Sequence, residues 1–271
     1  MEYKTYQPAT ELSSFIKCIW TLKSSAGDTL IKQRIVPDGC MELIFHFGDP
    51  YLQYRNDGTT IVQPRSFVFG QITHALEIEP TGKTDIFAVR FHPDGYLPFA
   101  TLPLIKMRNK ATRLSELFGS AGEVLEGKMY HAANATQRKN ICESFLLERL
   151  PGDEAIDQII NASVTVILQS QGDVQVAALS DDLHIHRRKL ERRFASIVGI
   201  SPKQLAKIIR LQRTLKMLSA KGGCNLTRLA HESNYYDQAH FIKDFKEFTG
   251  QSPKQFYAAN LKLSALFYSA E

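Results

Sequence analysis

Phe194-Ala195-Ser196-Ile197-Val198-Gly199-Ile200-Ser201-Pro202-Lys203-Gln204-Leu205 is followed, 51 residues later, by Phe245-Lys246-Glu247-Phe248-Thr249-Gly250-Gln251-Ser252-Pro253-Lys254-Gln255-Phe256. Six positions of the twelve are identical at a constant offset. Leu190 and Phe241 extend the match at the same spacing, and Leu179-Ser180 aligns with Leu229-Ala230 at an offset of 50. Two copies are too few for a solenoid, so the chain carries a duplicated module. Each copy reads as a short apolar helix, a turn and a second helix. A glycine then stops the second helix, and Ser-Pro opens another, with serine as N-cap and proline at the first helical position. That order describes two helix-turn-helix units, at about residues 174–198 and 226–248.

At 100° per residue, Leu190, Phe194 and Ile197 share the buried side of the first module's second helix. Arg188, Arg192 and Ala195 oppose them, flanked by Lys189, Glu191 and Ser196. In the second module Phe241, Phe245 and Phe248 form the buried stripe. Ala239, Lys243 and Lys246 point outward, His240 flanks them, and Gln238 sits in the first turn, where a recognition helix meets base edges. Arginine and glutamine are the side chains that read guanine and adenine in a major groove. Glu191 has two readings, accepting from a cytosine amino group or orienting Arg188 and Arg192. Arg187 and Arg193 are expected to pair with nearby carboxylates. His186 opens the first of these helices and is expected to cap it poorly.

Between the modules, residues 201–221 read as one helix with an apolar stripe of Leu205, Ile208, Ile209, Leu215 and Leu218, leaving Lys207, Arg210, Arg213 and Lys216 on its polar side; Gly222-Gly223 ends it. Some 18 residues of helix span roughly 27 Å, near the ~34 Å between successive major-groove faces. One chain can thus present two recognition helices to one side of a duplex. Upstream, residues 154–171 read as a helix, with Asp173 expected to cap the next.

The first half is different in kind. Apolar residues alternate in Ile16–Leu22 and Met41–Phe47, and Ser66–Ile72 and Asp85–Phe91 are rich in aromatic and β-branched residues. Turn sequences such as Pro37-Asp38-Gly39, Asn56-Asp57-Gly58 and Pro93-Asp94-Gly95 separate them. This pattern predicts an antiparallel sandwich or small barrel, followed by helix between Thr136 and Leu150. Pro151-Gly152-Asp153 is a boundary between domains at 1–150 and 154–271. Charge divides with it. Residues 1–160 hold 17 Lys/Arg and 19 Asp/Glu, a net of −2, whereas residues 161–271 hold 16 and 9, a net of +7. This asymmetry points to a polyanion partner for the basic half, with a solvated basic surface as the alternative reading of the charge alone.

No apolar run approaches the roughly 18 residues of a membrane span, and no secretion signal opens the chain. Cys18, Cys40, Cys142 and Cys224 are isolated, which excludes a paired zinc knuckle and fits a reduced, cytoplasmic setting. His46, His74 and His92 lack His-x-His spacing, so no metal is expected there, and no cofactor elsewhere.

The C-terminal half, over residues 158–263, resembles the DNA-binding domain of AraC/XylS-type transcriptional regulators. Leu229-Ala230, Tyr235-Tyr236-Asp237-Gln238, His240 to Lys246 and Thr249 to Phe256 carry the resemblance. It implies a seven-helix domain binding double-stranded DNA through both modules, with Arg188, Glu191 and Arg192 reading bases in the first. In the second, Gln238, Ala239 and Lys243 occupy the reading positions, with His240 and Lys246 beside them. Ala239 offers only apolar contact, such as to a thymine methyl. The overall fold class implied is α+β: a cupin-like antiparallel domain for effector binding or dimerisation, helices, then the all-α domain. Pro37-Asp38-Gly39-Cys40-Met41-Glu42-Leu43-Ile44-Phe45 and Arg90-Phe91-His92-Pro93-Asp94-Gly95 resemble recurrent segments of an uncharacterised N-terminal domain, and both also read as tight turns beside strands. Expected partners besides DNA are RNA polymerase, a small-molecule effector and a second copy of the chain, with no membrane. A non-enzymatic transcription factor is the leading reading; a cupin-type binding protein or enzyme with an accessory DNA-binding domain is the alternative. A DNA-repair methyltransferase would need clustered cysteines, which are absent.

Overall fold

The computed structural model describes residues 1–24, 31–55, 57–150, 156–221, 232–233 and 235–258. Ten strands form two sheets in which every pairing is antiparallel. The larger is built from β1 (Glu2–Tyr6), β2 (Ile16–Lys23), β4 (Glu42–His46), β7 (Ser66–Phe69), β9 (Asp85–Phe91) and β10 (Ala111–Arg113), in the order β1-β2-β9-β4-β7-β10. The smaller contains β3 (Gln33–Ile35), β5 (Tyr51–Tyr54), β6 (Thr60–Val62) and β8 (Leu76–Pro80), in the order β3-β8-β5-β6. The expected antiparallel β-rich half is therefore present. β7 ends at Phe69, before the expected Ile72, because the backbone of α1 (Leu104–Met107) crosses it there. A Cβ on Gly70 would lie 2.1 Å from the Met107 carbonyl oxygen.

Alternation decides what each face of the large sheet meets. Leu43 and Phe45 on β4 pack with Ile19, Phe87 and Val89 and with Leu117, Leu125 and Leu146. The last three come from α2 (Leu114–Phe118), α3 (Ser120–His131) and α4 (Ala135–Leu147), the last within the predicted 136–150 helix to within a few residues. The opposite face places Trp20, Leu22, Ile86 and Ala88 against Tyr51 of the small sheet. The large sheet is thus covered on both sides, which is why β2, β7 and β9 are buried along most of their length.

The second half is helical: α5 (Gln158–Gln169), α6 (Val176–Asp182), α7 (Arg187–Val198), α8 (Pro202–Lys221), α9 (Gln238–Thr249) and α10 (Pro253–Ala258). Leu190, Phe194, Ile208, Leu211, Leu215, Phe241, Phe245 and Phe248 share one buried core with Ile160 and Ile167 of α5. At 20 residues α8 is roughly 30 Å long. Gln175, and not Asp173, occupies the N-cap position of α6; the Asp173 backbone N–H donates to the Ser170 carbonyl at 3.0 Å, closing the turn that ends α5. The expected helix at 226–232 falls almost wholly outside the described residues, as do the Gly222-Gly223 stop and the Pro151–Asp153 boundary. Among the described residues no helix is long and apolar enough to cross a membrane.

The two halves touch. Val36, just after β3, belongs to the helical core. Gly39, at φ +80°, lies so close to α8 that a Cβ would sit 2.7 Å from Leu205 Cδ1. The Gln212 amide on α8 donates to the Pro37 carbonyl at 2.6 Å, and the Asn161 amide on α5 donates to Asp94 at 3.1 Å.

Candidate nucleic-acid interface

The duplicated sequence yields duplicated caps. Gly199 and Gly250 adopt left-handed backbone at φ +86° and +71° and terminate α7 and α9, a conformation costly for any residue with a Cβ. In each copy the following Ser-Pro-Lys-Gln is a reciprocal capping box. The Gln204 amide N–H donates to Ser201 Oγ at 3.2 Å, while the Ser201 N–H donates to Gln204 Oε1 at 3.3 Å. Gln255 and Ser252 repeat the pair at 3.4 and 3.0 Å. The serine and proline roles are legible from sequence; the glutamine is the further member of the motif.

At the other end, Asp237 caps α9 by accepting from the His240 N–H at 2.7 Å. His186 caps α7 with its ring, Nδ1 accepting from the Arg188 N–H at 3.3 Å. The expectation that His186 would cap poorly is corrected. An imidazole nitrogen supplies the acceptor that serine or threonine would offer.

Of the eight side chains expected to meet DNA, Arg188 and Arg192 on α7 and Ala239, Lys243 and Lys246 on α9 are exposed. Gln238, at the start of α9, is half-buried. Glu191 pairs with Arg187 at 3.0 Å, one helical turn back. Neither Arg188 nor Arg192 is its partner, so the second of its two readings is not what the structure places there. Arg193 pairs with Asp157, the residue that also caps α5, as expected for a structural arginine. His240 is partly exposed but engaged within the protein. Its Nε2 lies 3.5 Å from Asp244, and its ring meets Tyr235 edge-on with centroids 5.5 Å apart.

Asp244 is the important residue that the sequence reading passed over. It is 2% exposed and accepts from Lys207 Nζ at 2.9 Å, which also reaches Glu247 at 3.1 Å. Burial opposes the charge of Lys207, but the bonds from Asp244 and Glu247 outweigh it and hold the amine above its ordinary range. This bridge fastens α9 to α8. The signal was an aspartate between Phe241 and Phe245 on the buried side of the wheel, which requires a partner. The polar side expected for α8 is likewise no solvated face. Arg210 donates to the Gly172 carbonyl at 2.8 Å and stacks over Tyr235, and Arg213 and Lys216 face the β-rich half.

Both α7 and α9 are held by their C-terminal ends. A Cβ on Gly199 would lie 3.3 Å from the Leu104 carbonyl of α1. Arg34 Nη1, on β3, donates to the Thr249 carbonyl at the end of α9 at 3.1 Å, where a cation also complements the helix dipole. The N-terminal turns, which bear Arg188 and Gln238, are the ends away from these contacts.

The β-rich half contains an apolar cavity between its sheets. Trp20, Leu22, Ile44, Tyr51, Ile78 and Ile86 form its walls, and Glu42, His46, Gln63 and Arg90 supply its polar groups. Glu42 accepts from the Trp20 indole at 3.0 Å, and burial lifts its carboxyl to about 7. His46 bonds Gln63 at 3.2 Å, and burial lowers its ring to about 4. Arg90 pairs with Asp38 at the cavity's edge.

Comparison with known proteins divides the chain in the same way. A family model described as a domain of unknown function (DUF6597) matches residues 4–113, and a helix-turn-helix domain model matches residues 179–259. An uncharacterized HTH-type transcriptional regulator of Haemophilus influenzae is 30% identical over 101 residues, 37% of this chain. The match covers 34% of that relative, so the chain spans about a third of its length. Among solved structures, ToxT from Vibrio cholerae aligns over 95% of this chain and 98% of its own at 9% identity and a TM-score of 0.47. The C-terminal domain of AraT from Geobacillus stearothermophilus aligns over 39% of this chain and 88% of its own at 24% identity and a TM-score of 0.36. The chain thus matches a domain of unknown function in its first half and a helix-turn-helix domain in its second.

Proposed function

We propose that this protein is a sequence-specific transcriptional regulator that reads two successive major-groove faces of double-stranded DNA with α7 and α9. The observation that carries this reading is the paired geometry. Two helices, each closed by a left-handed glycine, flank α8 in the chain, α9 is fastened to α8 through Lys207, and each of the two exposes basic side chains. Arg188 and Arg192 are the base-reading residues of α7. On α9, Gln238, Ala239 and Lys243 take that role, and Lys246 contacts phosphate. Glu191 and His240, engaged within the protein, position the reading surface. Phosphate neutralisation by the basic half supplies the sequence-independent part of the affinity.

The cavity between the sheets is the effector site of this regulator. It is concave, mainly apolar and holds a few convergent polar groups. Its wall includes Ile35, Asp38 and Cys40, and Gly39 in the same segment packs on α8. The expected contacts with RNA polymerase and with a second copy of the chain belong to the same proposal.

The test is selection of bound duplexes from a random pool with the full chain. Two short conserved blocks about one helical turn apart support two-helix reading. Salt-sensitive binding with no shared motif refutes it.

A further inference from the structure

A further concavity, of about 480 Å³, opens between the end of β5, the start of β8 and the turn that leads into β10. Its floor is apolar and shares Phe69, Ile72 and Leu76 with the cavity between the sheets. Its rim is basic. Arg55 follows β5, and Arg108 and Lys110 flank Asn109 in the turn after α1. No carboxylate lines it, and among the described residues none forms an ion pair with these three cations. The carboxylates of β8 are engaged elsewhere, Glu77 with Arg34 and Lys32 and Glu79 by the Tyr54 hydroxyl. Asp57 acts on Arg55 through space, so three cations less one carboxylate leave an excess of about two positive charges. Burial holds the His74 ring below its ordinary range, so it adds no charge at neutral pH. The turn that carries Arg108 and Lys110 is fixed. Asn109 stands in the left-handed region at φ +58°, which asparagine tolerates better than most residues. Its side-chain oxygen accepts from the Thr73 N–H at 2.8 Å, and its side-chain amide donates to Thr73 Oγ1 at 2.9 Å. Gln53, 5% exposed, also lines the concavity, and its amide oxygen has no hydrogen-bond partner among the described residues. A buried acceptor in that state is costly until a donor meets it.

We propose that this concavity binds a compact phosphomonoester whose organic body is apolar and carries a hydroxyl. The charge of a phosphoryl group matches the excess on the rim, and its terminal oxygens accept from cations that arrive from two segments of the chain. Arg108 supplies a planar fork and Lys110 a point charge. The body lies on Phe69, Ile72 and Leu76, and its hydroxyl donates to Gln53. A monocarboxylate would compensate only half of the excess. Since the same three apolar residues wall the cavity between the sheets, an occupant here braces that wall from its other side. This consequence rests on the effector reading of the inner cavity; the phosphomonoester site itself does not.

The experiment is isothermal titration of the full chain, without DNA, with 4-hydroxyphenyl phosphate, and separately with 4-hydroxybenzoate and inorganic phosphate at the same ionic strength. Saturable binding of the ester at one site is expected, tighter than that of either comparison ligand. Arg108→Gln and Lys110→Gln should each weaken it about tenfold, the effect of losing a charged hydrogen bond. Arg55→Gln takes their place should either fail to fold by circular dichroism. Gln53→Met, which removes the floor acceptor, should weaken it as well. Lys83→Gln, an exposed cation in the turn after β8, at the far end of that strand, should leave it unchanged. The proposal is overturned if the ester does not saturate, if the benzoate or free phosphate binds as tightly, or if Lys83→Gln weakens binding as much as the rim variants do. It is also overturned if the rim variants bind as the parent does, which would seat the ester in the inner cavity and favour the effector reading at the expense of this one. Absence of binding leaves that reading untouched, because it requires no phosphoryl group, and the duplex selection is independent of both.

Discussion

Replacing Glu42 by glutamine should stabilise the protein in alkaline solution and leave it unchanged in acid. Glu42 stands on β4, half-buried between the sheets, with its carboxyl accepting from the Trp20 indole. Burial raises its acid constant from 4.5 to about 7. One pKa unit corresponds to 1.36 kcal/mol, so the ionised carboxylate costs the folded chain about 3 kcal/mol once the pH lies above the folded value. Because the folded value exceeds the unfolded one, the favourable contribution of the neutral acid is complete below about pH 4.5 and is lost as the pH rises through about 7. Glu42→Gln keeps the shape and the acceptor oxygen but cannot ionise. Urea unfolding at pH 4, 5, 6, 7 and 8 should give nearly equal stabilities at pH 4 and an advantage for the variant of about 3 kcal/mol at pH 8, with the same dependence on denaturant. His46 has the opposite slope. Its folded value is depressed to about 4, so its contribution is present above about pH 6.5 and lost as the pH falls. It is common to both proteins and cancels in the difference. A difference that does not change between pH 4 and pH 8 would refute the assignment of a neutral Glu42.

Other outcomes follow from the reading helices. Arg192→Ala should cost about 1–3 kcal/mol at a cognate duplex and relax one base position. Equal losses on cognate and random DNA, measured by fluorescence anisotropy, would make Arg192 a phosphate contact. Lys246→Gln should weaken both DNAs alike and reduce the slope of log affinity against log salt by about 1; an unchanged slope would remove Lys246 from the phosphate contacts. Asp244→Ala should destabilise the chain by about 2 kcal/mol, because Lys207 loses its buried partner but keeps Glu247. Thermal unfolding checks this, and a change under about 0.5 kcal/mol, the scale of an ordinary surface substitution, would mean that the bridge does not fasten α9.

The helical half was readable because its rules are local. A repeat, a 3.6-residue period and cap residues at fixed offsets suffice to place α7, α8 and α9 and to separate Arg188, Arg192 and Lys243 from Phe194 and Phe245. What escaped depends on a distant partner. Asp244 looked like one more polar residue until α8 placed Lys207 against it. Asp173 looked like a cap, but α6 begins at Val176, with Gln175 at its N-cap position. In the β-rich half the alternation of β4 correctly marked Leu43 and Phe45 as core. It could not show that the other face, with Glu42 and His46, was also enclosed, because a second sheet covers it. Pro37–Gly39 and Pro93–Gly95 read correctly as turns, yet a turn sequence does not say what the turn rests on. Both rest on the helical half.

The segment from Arg34 to Cys40 links the cavity to the reading helices. Ile35, Asp38 and Cys40 are part of the cavity wall. Between them Val36 enters the helical core, Pro37 accepts from Gln212, and Gly39 abuts Leu205. At its start Arg34 pairs with Glu77 of β8 and donates to the Thr249 carbonyl, so a small-sheet strand is joined through one guanidinium to the last turn of α9. A hydrogen bond from a charged group contributes about 1.5–3 kcal/mol. Arg34→Leu should therefore open the end of α9 specifically. Hydrogen exchange of the amides at 246–250 should speed up by about tenfold or more, since 1.4 kcal/mol is a factor of ten in an opening equilibrium, while those at 195–199, on α7, should keep their rate. If both ends loosen equally, Arg34 supports the whole interface rather than α9. If neither changes, the link from the small sheet to the second reading helix runs through Pro37 and Gly39 on α8 and not through Arg34.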